Sequence, residues 1–312
     1  MTTATRDRRS AALRRFGLSI TALTVLGHTV LGFEQAYITP VVSVLAALAT
    51  EILLDSVEAA SEGRRPRYLA GFGAVLDFLL PAYITGVACA MLLYANAALM
   101  PTLLASVVGV ASKYVLRMRV GGRMRHVLNP SNTGIVVVLL LFPWVGIAPP
   151  YEFTEWVTGW WGAVVPALLL IAGTMLNAKL TGKIPLILGW LGGFVAQALL
   201  RAAVTDISLV SALLPVTGTA FILFTNYMIT DPGSTPVGAR NQVLFGLTTA
   251  AVYGVLVQVH VVFGLFFALV IACVLRAMAL VVAGWRQPQS TAVVAPDRVA
   301  VSEKSVPVRE PA

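Results

Sequence analysis

Long apolar stretches separated by short polar gaps dominate the pattern of this chain. A helix needs about 20 mostly apolar residues to cross the hydrocarbon core of a bilayer. Such a helix also satisfies its own backbone hydrogen bonds in lipid. We therefore expect an all-α polytopic membrane protein. The pattern predicts about ten transmembrane helices, at residues 16–33, 37–54, 71–96, 98–115, 131–148, 157–176, 184–203, 211–230, 243–258 and 261–282.

The positions of the basic residues predict that both termini lie in the cytoplasm. With the N-terminus inside, 21 of the 22 Lys and Arg residues fall on the cytoplasmic side of the ten spans, and only Arg201 falls outside. Cytoplasmic loops of membrane proteins carry this excess of positive charge. We expect a basic cytoplasmic arm at 1–15, a transmembrane domain at 16–284 and a disordered cytoplasmic tail at 285–312. The predicted location is the inner (plasma) membrane, with multiple passes.

Composition excludes several classes of protein. Apolar residues make up 58% of the chain and charged residues 12%, so a soluble globular protein, a coiled coil and a disordered chain do not fit. The net charge of +8 follows from topology and contact with lipid headgroups, so no nucleic-acid partner is expected. Neither cysteine has metal-ligand spacing, and we predict no metal site. No hydrolase triad or P-loop is visible, which indicates at most a subunit of a membrane oxidoreductase.

Two polar gaps carry Asn or Asp directly before Pro, and a Ser within a few residues. The first contains Asn129-Pro130-Ser131 and the second contains Asp231-Pro232-Gly233-Ser234. Such pairs initiate turns and cap the first free N–H groups of a following helix. The gaps follow the fourth and eighth predicted spans on the same face. We interpret this pairing as two related halves, 16–150 and 151–284, each with five spans and therefore inverted relative to each other.

These motifs resemble the signatures of a known family. The run R-H-V-L-N-P-S-N from Arg125 to Asn132 resembles the R-x-x-F-N-P-[AS] signature of the NqrB/RnfD membrane subunits. The run Y-M-I-T-D-P-G-S-T-P from Tyr227 to Pro236 resembles their F-M-A-T-D-P-x-[TS]-[ST]-P signature. The resemblance covers roughly residues 16–284. It implies two inverted five-helix repeats, a role in ion-coupled electron transport and flavin binding. The family-motif candidates for cofactor binding are Arg125, Asn129, Pro130, Ser131, Asp231, Pro232, Thr235 and Pro236.

One departure from the family concerns the flavin. Family members carry covalent FMN on the Thr of an S-G-A-T type motif, and this chain lacks that motif; Thr217-Gly218-Thr219-Ala220 has the wrong order. We therefore expect no covalent FMN, while a noncovalent flavin remains compatible with the sequence. The short chain also resembles the UnbU-type branch from enediyne biosynthesis clusters. That likeness implies other membrane subunits, redox subunits or biosynthetic enzymes as partners, besides the lipid bilayer.

Two other functions fit the same scaffold. The chain could be a non-redox transporter or channel for an ion or small solute, or a membrane anchor for a biosynthetic complex. Three ionisable residues inside spans are candidates for an ion or proton pathway. Asp77 could line such a path or lie at the interface, and His28 could carry protons or serve as a neutral donor between helices. Arg276 could extend towards the headgroups or pair with Asp77.

Overall fold

Apolar helices make up most of the computed structural model, which describes residues 3–120, 122–149, 155–157 and 159–286. About 75% of the described residues are helical. The α-helices are α1 Thr3–Leu26, α2 Ile38–Glu62, α3 Phe72–Leu92, α4 Leu99–Val115, α5 Pro130–Leu141, α6 Trp161–Leu176, α7 Ile184–Val204, α8 Leu209–Leu213, α9 Thr219–Leu223, α10 Ala239–Gln258 and α11 Gly264–Arg286. Three of them continue directly into π-helical turns, at Gly27–Leu31 after α1, Asn177–Thr181 after α6 and Phe224–Met228 after α9.

Short strands and 3-10 turns connect the helices. Strand β1 (Leu93–Tyr94) pairs antiparallel with β4 (Gly146–Ile147). Strand β2 (Arg117–Val120) pairs antiparallel with β3 (Arg123–His126) and forms a hairpin between α4 and α5. The 3-10 turns are Arg67–Leu69 and Leu214–Thr217.

Several helices have the length and composition of membrane spans, so the protein is an all-α protein compatible with a lipid bilayer. Five pass on length and apolarity: Ile38–Glu62, Phe72–Leu92, Trp161–Thr181, Ile184–Val204 and Gly264–Gly284. A sixth span is formed if Leu209–Thr217 and Thr219–Met228 count as one, although they meet at an angle of 67°. Helices α4 and α5 are apolar but shorter. The predicted tail, beyond Arg286, lies outside the described residues.

Several predicted spans differ from the helices at the same positions, and in two of them a proline accounts for the difference. The span at 131–148 ends early, because α5 stops at Leu141. Pro143 disfavours helical geometry at the residue before it, and Phe142 has left the helix. The span at 211–230 is broken, because Pro215 and Gly218 separate α8 from α9. The described part of the basic arm is not a separate segment, since α1 runs without interruption from Thr3 into the first predicted span.

Close backbone contacts hold two helix pairs together. A Cβ atom on Gly134 of α5 would lie 1.9 Å from the carbonyl oxygen of Ala105 in α4. A Cβ atom on Gly246 of α10 would lie 2.5 Å from the backbone nitrogen of Trp190 in α7. Glycine is therefore required at both positions, as is common where apolar helices approach each other in lipid. Around Trp190 the core is aromatic, with Phe194 and Phe221 packed against one another at 4.8 Å between ring centroids.

Candidate functional site

The first polar motif begins with the β2–β3 hairpin. Basic residues alternate with apolar ones along β2, and the positive φ of Gly122 (75°) closes the turn. Arg117 is paired with His126 across the ladder, and Met118 with Arg125. The hairpin thus brings Arg125 and His126 to the start of α5.

Asn129 caps α5 as the sequence predicts. Its Oδ1 atom accepts hydrogen bonds from the backbone N–H of Asn132 and from Ser131 Oγ, both at 3.0 Å. Pro130 occupies the first turn, where it needs no hydrogen-bond partner for its nitrogen. The amide nitrogen of Asn129 also donates to the carbonyl oxygen of Met228 at 3.0 Å. This residue therefore caps one helix and binds the second motif.

Asp231 holds its own turn rather than capping the next helix. Its Oδ2 atom accepts from the backbone N–H of Ser234 at 2.9 Å and from Ser234 Oγ at 2.7 Å. Thr235 Oγ1 donates to the carbonyl oxygen of Asp231. Helix α10 begins only at Ala239, so the prediction that this Asp-Pro pair caps the following helix is wrong.

The two motifs meet directly. His126 Nε2 lies 3.0 Å from Asp231 Oδ2, across 105 residues of sequence. Gly233 packs closely against the same imidazole, because an added Cβ would lie 2.0 Å from His126 Cε1 and Nε2. Together with the Asn129–Met228 bond, these contacts join the hairpin and the start of α5 to the turn that follows α9.

A cavity of about 860 Å³ lies beside this junction. Its basic lining residues are Arg67, Lys113, Arg117, Arg123, Arg125, Lys179 and Lys183, and its acidic ones are Glu51 and Asp231. Apolar side chains from α1, α3 and α6 also line it. Along α3 the lining runs from Pro81 to Leu92, about 16 Å at helical rise. Phe16 and Tyr227 stack in the lining with their ring centroids 5.2 Å apart.

A buried lysine lies at the edge of the cavity. Lys183 is 3% exposed, and its Nζ donates to the carbonyl oxygen of Pro236 at 2.6 Å. Burial of the ammonium group lowers the pKa of Lys183 to about 8; Asp231 opposes this shift, and Arg276 and Arg125 add to it. Burial alone would raise the pKa of Asp231, but His126 and the Ser234 donors outweigh it and hold that pKa below its usual value.

An ion-pair network holds Arg67 and Arg117, two further basic residues of the cavity lining. Asp55 of α2 is fully buried and binds Arg64 and Arg67, each at 2.8 Å. Glu58, one turn later, binds Arg117 of the hairpin at 2.6 Å. These bonds attach the 3-10 turn and the base of β2 to the end of α2.

The predicted site residues divide into two groups. Of the family-motif candidates, the cavity lining contains Arg125, Asn129, Pro130, Ser131, Asp231 and Pro232. Thr235 is buried beneath the Asp231 turn, and Pro236 binds Lys183 through its carbonyl oxygen.

The three pathway candidates each contact different residues. Asp77 forms a salt bridge with Arg14 at 2.8 Å, and Arg276 donates to the Ser234 carbonyl oxygen at 2.9 Å. No Asp77–Arg276 pair forms among the described residues. His28 is buried near Phe33 and contacts the Thr24 carbonyl oxygen at 2.8 Å through Nδ1.

Sequence reasoning missed Lys183, Asn226 and Gln242 as lining residues. Asn226 and Gln242 each have a side-chain oxygen that is buried without a hydrogen-bond donor among the described residues. A signal for Lys183 was present, since a lysine lies two residues before Pro185 in a gap predicted on the same face as both motifs. No group of three or more His, Cys, Asp or Glu residues in the described part of the chain is arranged to hold a metal ion.

No protein-family model matches this chain, and none of the curated proteins compared with it matches significantly.

Proposed function

We propose that this protein is an integral membrane subunit of the NqrB/RnfD type, which takes part in ion-coupled electron transport and holds a noncovalent flavin in the cavity. The observation that carries the proposal is the His126–Asp231 contact at 3.0 Å. It joins the two family-like motifs at the wall of one large cavity, rather than leaving them as separate helix starts.

We include ten spans in two inverted repeats in this proposal. The helix order supports it: α2 packs against α3 and α4, and α4 against α5, while α7 packs against α8 and α10, and α10 against α11. The first helix of each half also ends alike. Both α1 and α6 continue into a π-helical turn that a glycine closes with positive φ, at Gly32 (93°) and Gly182 (64°).

The lining chemistry fits a flavin nucleotide. The volume of about 860 Å³ lies within the range of about 300–1,000 Å³ typical of small-molecule sites. Apolar side chains and the stacked Phe16–Tyr227 pair suit a planar aromatic ring, and the basic lining residues suit a phosphate. The Thr217-to-Ala220 string lies outside the lining, which agrees with noncovalent binding.

The residues of the chain would tune the cofactor by charge. A bound flavin supplies one- or two-electron transfer. Arg125, Lys179 and Lys183 place positive charge around the ligand, where it stabilises the negative charge gained on reduction. The apolar lining excludes water and keeps this electrostatic effect strong.

The test is to purify the full chain in detergent without added flavin, and to release and identify any bound flavin after denaturation. We expect flavin to be released without proteolysis, in yield reduced by Arg125→Gln. Arg119→Gln is the matched control, because Arg119 lies on the same hairpin but outside the cavity lining. A protein that contains no flavin and binds none at saturating concentration would refute the redox function.

A non-redox transporter is the second candidate, favoured by the broken span. The 67° bend between Leu209–Thr217 and Thr219–Met228 resembles the interrupted helices that form binding sites in transporters. Near this bend, the side-chain oxygen of Asn226 has no hydrogen-bond donor among the described residues. Solute or ion flux in flavin-free vesicles, lost on Asn226→Leu, would support it. Absence of flux for every ion and solute tested would count against it.

A further inference from the structure

The cations of the cavity differ in how well carboxylates neutralise them. Three are compensated: Arg67 by Asp55 and Glu58, Arg117 by Glu58, and Lys113 by Glu51 at 2.5 Å. These ion pairs fix the three side chains in place and neutralise most of their positive charge.

The remaining four have no carboxylate within ion-pair distance in the described residues: Arg123, Arg125, Lys179 and Lys183. Asp231, whose negative charge acts on Lys183, is already bound by His126 and by Ser234. Lys183 is the most demanding of the four, because a buried charge that bonds only to a neutral carbonyl is costly.

Arg125 and Lys183 both line the cavity, and the charge of Arg125 contributes to the lowered pKa of Lys183. Arg276, which binds the Ser234 carbonyl oxygen, lowers the pKa of Lys183 further through its positive charge. The carboxylate of Asp231, which is already hydrogen-bonded, does not neutralise the positive charge of these cations. An anion from outside the chain would balance that charge.

We propose that Arg125 and Lys183 form a subsite for a phosphate monoester, so that the cavity takes a phosphorylated molecule with an apolar body. Such a phosphate carries about −1.5 to −2 charges at neutral pH, which matches two cations. The guanidinium of Arg125 can donate two parallel hydrogen bonds to it, and Lys183 has donors left beyond its bond to Pro236. The identity of the apolar body as a flavin rests on the proposed function, whereas the phosphate subsite rests on the cations.

The test compares ligands with and without the phosphate, using the full chain in detergent and in nanodiscs. Flavin fluorescence quenching measures the affinities for FMN and riboflavin. Thermal unfolding in phosphatidylcholine nanodiscs, with and without phosphatidic acid, measures binding of a lipid phosphate. The variants are Arg125→Gln, Lys183→Gln and the charge-keeping Lys183→Arg, with Arg119→Gln as control.

We expect FMN to bind about 10–100-fold more tightly than riboflavin. That ratio should fall towards one in Arg125→Gln and Lys183→Gln, and persist in Lys183→Arg and Arg119→Gln. Retention in Lys183→Arg would show that the positive charge at this position is what the phosphate requires.

Other results separate the two proposals. Equal affinity for FMN and riboflavin would overturn the subsite while leaving a flavin site. Stabilisation by phosphatidic acid that requires Arg125, in a protein that binds no flavin, would support the subsite with a lipid ligand and overturn the redox function. A protein that responds to neither flavin nor phosphatidic acid would overturn both.

Discussion

Replacing Gly233 by Ala should break the junction between the two polar motifs. The new Cβ would lie 2.0 Å from His126 Cε1 and Nε2, and side-chain carbons do not approach closer than 3.0 Å, so the imidazole must move by at least 1.0 Å. Gly233 does not have a positive φ, so backbone strain does not contribute. The clash therefore acts on the His126–Asp231 bond.

The size of the effect follows from which atoms can yield. The atoms that the Cβ meets are at the far end of an imidazole that can rotate away. The main cost is then the lost hydrogen bond to the Asp231 carboxylate, about 1.5–3 kcal/mol, rather than overpacking. Unfolding in detergent, titrated with SDS and followed by tryptophan fluorescence, measures it.

A double-mutant cycle makes the interpretation decisive. In a His126→Ala background the obstacle is absent, so Gly233→Ala should cost almost nothing. Gly192→Ala is the matched control, because a Cβ there meets no atom within 4 Å and alanine favours the interior of α7. If Gly233→Ala destabilises the protein equally with and without the imidazole, the reasoning is wrong.

Three further predictions concern charge and topology. Burial lowers the pKa of Lys183 to about 8, so this side chain is charged below that pH and neutral above it. Affinity for FMN should therefore fall as the pH rises through about 8, while the ligand-free protein becomes more stable. Lys183→Arg should abolish the loss of affinity. Glu51→Gln removes the buried carboxylate that pairs with Lys113, whose side chain is 12% exposed, and should cost about 3–5 kcal/mol in SDS unfolding. Asp77→Asn should cost less than about 1 kcal/mol, because its salt bridge with Arg14 is exposed. Equal losses would contradict the assignment. An Arg123→Cys variant should react with an impermeant maleimide in inverted vesicles but not in intact cells. Both native cysteines are buried, so they should contribute little labelling of their own. Labelling in intact cells would refute the cytoplasmic position of the hairpin.

Local chemistry made part of this structure predictable. The Asn129-Pro130 pair predicted a capped helix, because capping depends on residues two or three positions apart. Pro143 carried the signal that ends α5 at Leu141, but the apolar run around it is equally compatible with a longer span.

Contacts between distant segments were not predictable in this way. The His126–Asp231 and Asn129–Met228 bonds cross about 100 residues, and they depend on how the helices are arranged rather than on local pattern. The same holds for Lys183, which is buried with a lowered pKa and donates to the carbonyl oxygen of Pro236, 53 residues away. The π-helical turns leave no periodic signal in an apolar run, so they too emerge only from the structure.

The most direct test of the account is a cryo-electron microscopy map of the protein, purified with FMN and bound to an antibody fragment. The account predicts density for one flavin in the cavity beside the His126–Asp231 contact, with its phosphate against Arg125 and Lys183. Flavin density at any other place, or a cavity without ligand density in a sample that carries one flavin per chain, would contradict it.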